Sequence, residues 1–118
     1  MLDSMRQFKA GVFQALGHPT RVAIAECLSR GEMSVSGLSE AVGVEQSNVS
    51  QHLAVLRNKY LVETRKDGNQ IFYRLRDPLL ADVLEKMRQY FFAHMNEAME
   101  VLREEQNGAA NAIQEKTP

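Results

Sequence analysis

Residues 46–75, QSNVSQHLAVLRNKYLVETRKDGNQIFYRL, change their period halfway along. Over 46–58 the apolar residues Val49, Leu53 and Leu56 fall on one side of a helix, while Gln46, Ser47, Asn48, Ser50, Gln51 and His52 occupy the rest of its circumference. After Tyr60 the pattern is extended: Leu61–Arg65, then Asp67-Gly68 to supply a tight turn, then Gln70–Leu75, rich in β-branched and aromatic residues. The stretch therefore predicts a helix with a polar exposed face followed directly by a β-hairpin.

Upstream, Met5, Phe8, Val12, Phe13 and Leu16 recur at helical spacing over 4–16 and stop at Gly17. Pro19 suits the first turn of a second helix, which carries Val22, Ile24, Cys27 and Leu28 and ends near Gly31. Ser34 is placed to cap a short helix through Leu38 and Val42, and Gly43 to end it in the left-handed conformation. Downstream, Asp77-Pro78 starts a long helix expected over 78–103. Leu80, Val83, Leu84, Met87, Phe91, Met95, Ala98, Met99 and Leu102 form its near-heptad apolar stripe. From 104 to 118 only Ile113 is strongly apolar, so residues 1–103 are expected to form one domain and 104–118 a flexible C-terminal tail.

A chain of 118 residues suits one modest core. No stretch reaches the roughly eighteen apolar residues of a membrane span, and the start MLDSMRQFKAGVF lacks a signal-peptide pattern, so a cytoplasmic location without a membrane partner is expected. The single cysteine, Cys27, excludes an internal disulfide framework. The net charge of −1 conceals a segregation. Residues 44–76 carry six basic and three acidic groups, and residues 77–118 carry four and eight. Screening confines attraction to about 8–10 Å, so the basic middle, not the sum, governs how a polyanion would be met.

In chain order, a short helix, a glycine turn, a polar-faced helix and a hairpin fit a mainly α fold with a small β-hairpin, a winged helix-turn-helix. In that fold the second helix of the pair enters the major groove of double-stranded DNA. Gln46, Asn48 and Gln51 each donate and accept, which suits base edges, while Ser47, Ser50 and His52 suit phosphates. Arg57, Arg65, Lys66 and Arg74, with Lys59 and Arg76, place cations beside this helix and along the hairpin. An enzyme reading lacks its motifs: there is no phosphate-cradling glycine loop, no His-x-x-x-His and no serine elbow. The rival is a protein-interaction module of the same fold, which would call for an apolar or acidic recognition face.

Residues 13–75, FQALGHPTRVAIAECLSRGEMSVSGLSEAVGVEQSNVSQHLAVLRNKYLVETRKDGNQIFYRL, resemble the ArsR/SmtB family of bacterial winged helix-turn-helix repressors. ALGHPTR enters the second helix, QSNVSQHLAVLR matches the recognition helix and LVETRKDGNQIFYRL the wing. The resemblance implies a homodimer built from the N- and C-terminal helices, binding a two-fold-symmetric operator and released by an effector. The apolar stripes, with Phe8, Val12, Leu84, Met87, Phe91 and Met95, are the expected dimer interface. Two positions depart from the family pattern: Glu45 stands where a serine cap is common and Tyr60 where glycine is common.

The family's metal sites are incomplete in this chain. Where many relatives carry a cysteine pair at the start of the short helix stand Ser34 and Ser36, whose hydroxyls are poor ligands for soft metals. His94 and Glu97 match half of a second site on the last helix, but Ala81 and Val83 occupy its other half and Asp82 is out of phase. No cofactor and no complete metal site are expected. An unidentified small-molecule or redox effector stays open, with Phe91 and Phe92 as the first place to look for an organic one. Cys27 reads as a small buried hydrophobe, His18 as a residue at a helix entrance and the methionines of the last helix as adaptable dimer core.

Overall fold

The computed structural model describes the backbone of residues 2–115 and the side chains of residues 2–110. Helix α1 (Leu2–Leu16) ends as Gly17 N–H bonds back to Gln14 C=O, and α2 (Pro19–Ser29) begins at once. His18 caps α2: its backbone is extended and its Nδ1 accepts from Thr20 N–H at 3.1 Å, with Pro19 pre-set in the first turn. Ser34 Oγ accepts from Gly37 N–H at 3.1 Å to start α3 (Val35–Val42), and Gly43 ends it at φ 75°. Helix α4 (Gln46–Asn58) has Glu45 at its N-cap without a side-chain bond, so its first amides are free of an internal cap.

Ile24 and Leu28 of α2, Leu38 of α3 and Val49, Leu53 and Leu56 of α4 meet in one core, closed by Ala15, Leu61 and Val62. Within α2 the fully buried side is Ile24, Ala25 and Leu28, and Cys27 is half-buried at its border. Burying a Leu or Val side chain is worth about 1.5–3 kcal/mol, so three such residues at i, i+4 and i+7 hold α4 against α2 and α3.

Strands β2 (Val62–Asp67) and β3 (Gln70–Leu75) pair antiparallel with Asp67 opposite Gln70, leaving Gly68-Asn69 as a two-residue loop. The loop lies one residue later than Asp67-Gly68, because Asp67 still pairs and Gly68 alone takes a positive φ, 62°. A third strand was not expected. β1 (Met33–Ser34) pairs with β3 through Met33–Tyr73 and Ser34–Phe72, giving the order β1-β3-β2 and tying the wing to the start of α3. Two residues are too few to show an alternation in sequence.

Helix α5 runs from Pro78 to Glu115, with Asp77 Oδ1 accepting from Leu79 N–H at 2.9 Å at its start. It passes the stop expected at 103, since residues 104–115 contain good helix formers and no proline, and one glycine is tolerated. The remainder of the expected tail, 116–118, lies outside the described residues. The chain divides into two compact units between Val83 and Leu84, within α5. No helix among the described residues is long and apolar enough to cross a membrane.

Candidate nucleic-acid interface

Each residue turns a helix by roughly 100°, so the buried Val49, Leu53 and Leu56 of α4 place Ser47, Gln51, Ala54 and Asn58 on the opposite, outward face. Gln46, Ser50 and Arg57 flank that face on one side, Asn48 and His52 on the other. All of these except His52 are exposed. The outward strip thus presents amides and hydroxyls without a carboxylate, a surface that can donate to and accept from base edges.

His52 is turned toward the start of α2. Its ring lies 4.5 Å from the His18 ring, and Arg21 Nη1 stands 3.3 Å from its Nδ1. Arg21 is itself anchored, its Nε donating to Ala15 C=O. Burial, then the neighbouring His18 and Arg21 charges, hold the His52 pKa below its ordinary value. His52, expected at a phosphate, thus also links α4 to the α1–α2 corner.

The wing cations divide by strand parity. Successive side chains alternate faces and directly paired residues share one, so Glu63, Arg65 and Asp67 lie with Arg74, Phe72 and Gln70. On this face Arg74 donates to Glu63 at 2.8 Å. Arg65 grips Glu32, between α2 and β1, through Nε at 3.1 Å and Nη2 at 2.5 Å, with its guanidinium over the Phe72 ring. The pairing drives Glu32 below and Arg65 above their usual pKa values, chiefly through their shared hydrogen bonds. Lys66 lies on the other face with Thr64, Tyr73 and Ile71, and has no ion pair among the described residues.

Ser50, Arg57, Asn58, Tyr60 and Tyr73 line a cleft of about 410 Å³ between the second half of α4 and β3. Glu32 and Tyr73 were not among the residues singled out in the sequence. Tyr73 could have been found from strand parity, whereas Glu32 pairs with a residue 33 positions away and left no local signal. Cys27 borders a smaller pocket with Arg30, Glu32 and Met33.

The expected interface residues are mostly uncovered within the single chain. Phe8, Phe91 and Met95 are more than half exposed, Met87 is also exposed, and Leu84 and Val12 are half-buried, Val12 against the core. His94 Nδ1 lies 3.6 Å from Glu97 and its ring 4.7 Å from Tyr90. Among the described residues, no three His, Cys, Asp or Glu side chains gather as a metal site.

The sequence model of the bacterial regulatory protein arsR family matches residues 18–64. The HTH-type transcriptional regulator Rv0081 of Mycobacterium tuberculosis is 35% identical over 92% of this chain and 96% of its own. Its crystal structure superposes with a TM-score of 0.73, covering 80% and 96% of the two chains at 35% identity. The transcriptional repressor BigR of Xylella fastidiosa has a TM-score of 0.69 at 34% identity, covering 76% and 92%. A homodimeric winged helix-turn-helix DNA-binding domain, Mb0332 of Mycobacterium bovis, has a TM-score of 0.75 at 25% identity, covering 80% and 88%.

Proposed function

The chain belongs to the ArsR family of bacterial winged helix-turn-helix transcriptional regulators, and from this we infer that it is a cytoplasmic repressor binding a two-fold-symmetric operator in double-stranded DNA as a homodimer. Residues 1–103 carry both tasks. Gln51 on the outward face of α4, with Gln46 and Asn48 in its first turn, reads base edges, while Ser47 on α4 and Lys66 on the wing meet the backbone. The observation that carries this reading is the outward strip of α4, polar and free of carboxylates, bordered by cations. It also favours DNA over a protein partner, whose groove would need an apolar face.

The test is fluorescence anisotropy on a duplex selected from random sequence by the wild-type protein. Gln51→Ala should lose about 1–3 kcal/mol of discrimination at one base pair per half-site while retaining affinity for scrambled duplex. Equal loss on the selected and scrambled duplexes would remove Gln51 from sequence readout. Failure of the wild type to bind any duplex would sink the repressor reading.

A further inference from the structure

The cleft between α4 and β3 offers donors and no acceptor charge. Of the side chains lining it, Arg57 is a cation, Ser50, Tyr60 and Tyr73 carry hydroxyls, Asn58 carries an amide, and none is a carboxylate. Ser50, Arg57, Asn58 and Tyr73 have no side-chain hydrogen bond or ion pair among the described residues, and Arg76 adds a second cation at the rim, its guanidinium 5.2 Å from the Tyr60 ring centre. Lys66 shares the strand face of Tyr73. Arg65 and Arg74, the cations most conspicuous in the wing sequence, lie on the reverse face with Glu32 and Glu63 already bound to them. A guanidinium held by two carboxylate oxygens would have to give up charge-assisted hydrogen bonds before meeting a phosphate.

Position on α4 supplies the remaining step. Ser50 and Arg57 flank the outward strip of Ser47, Gln51, Ala54 and Asn58 on the side toward the wing, so a duplex whose base edges face Gln51 brings a sugar-phosphate strand alongside the cleft. We propose that this cleft receives one phosphodiester of the operator backbone, with Arg57 as the charge and the Ser50 and Tyr73 hydroxyls as donors, while Arg65 clamps the wing to the body through Glu32 and Arg74 ties the two wing strands together through Glu63. This rests on the DNA-binding reading above and assigns the phosphate contact to a face of the wing.

Binding of the wild type, Arg57→Gln, Tyr73→Phe and Arg65→Gln to selected and scrambled duplexes between 50 and 200 mM salt tests it. Arg57→Gln should lower the slope of log affinity against log salt by about 2, one contact being lost in each half-site, and Tyr73→Phe should weaken both duplexes alike, by about tenfold. A neutral methylphosphonate scanned along the backbone should weaken wild-type binding at one position per half-site and cost Arg57→Gln much less there than it costs the wild type. The assignment is overturned if Tyr73→Phe and Arg57→Gln keep wild-type affinity and slope. It is equally overturned if the slope falls with Arg65→Gln and not with Arg57→Gln. Competition by inorganic phosphate beyond that of chloride at equal ionic strength would give the cleft to a free anion instead. A wild type that binds neither duplex fails at the earlier reading, whereas normal wild-type binding with indifferent variants fails here alone.

Discussion

His52 shows how a polar side chain at the edge of a helix acquires partners that its own helix does not supply. It lies at the edge of the polar arc of α4, close enough to the core side to touch α2, and Arg21 and His18 take it. Its lowered pKa means that the unfolded chain binds a proton more readily than the folded one, so this part of stability is present above about pH 6.5 and is lost as pH falls through the folded value. His52→Gln should flatten that dependence: urea midpoints of the variant between pH 7.5 and pH 5 should fall less than those of the wild type. Identical slopes would show that the contact with His18 and Arg21 carries no proton linkage. His18, in contrast, was legible. A polar residue immediately before a helix-opening proline has one obvious task, and Nδ1 performs it on Thr20 N–H.

At the level of elements, the junction between α4 and the wing carries the strain that its sequence announces. Tyr60 sits at φ 59°, the left-handed residue after α4, with Leu61 N–H bonded to Leu56 C=O and Tyr60 N–H to Arg57 C=O, each at 3.0 Å. A residue with a Cβ costs about 1–2 kcal/mol there, and glycine gives part of that back through the freedom of the unfolded chain. Tyr60 is 62% exposed, so little packing opposes the exchange. Tyr60→Gly should therefore raise stability by about 0.5–1 kcal/mol, read as a higher urea midpoint at unchanged slope. A lower midpoint would mean that the Arg76 contact with the Tyr60 ring outweighs the backbone relief. Element boundaries marked by caps were readable in advance, as Ser34, Gly43 and Asp77 show. β1 and the continuation of α5 were not, since neither carries a terminator or a repeating pattern of its own.

On the scale of the whole molecule, the apolar stripes of α1 and α5 exceed what a single chain covers. Leu84, Met87, Phe91, Met95 and Leu102 share one arc of α5, and of these only Leu84 is half-buried. An exposed apolar arc of this kind suits the proposed dimer interface, and a two-fold dimer would present two copies of α4 to successive major grooves. Phe91→Glu, which leaves α4 and the wing untouched, should shift sedimentation to the monomer and reduce operator affinity by more than tenfold, because the two half-sites are no longer held by one particle. A variant that remains dimeric with wild-type affinity would take that arc of α5 out of the interface. The net charge of −1 agrees with this arrangement, since the excess of acidic groups is confined to residues 77–118 and the basic excess to 44–76.

Period, caps and turn residues act over fewer than about five positions, and they were enough to order the helices, place the hairpin and pick out α4 as the polar-faced helix. The division of labour among the wing cations could not be read that way. Arg65 and Lys66 are neighbours of the same charge, yet strand alternation sends them to opposite faces, and folding brings Glu32 to one of them. His52 gained its neighbours for the same reason: a helix edge acquires partners only when α2 packs on α4. Contacts between residues distant in the chain depend on where the backbone carries both of them, and no local pattern of side chains encodes that.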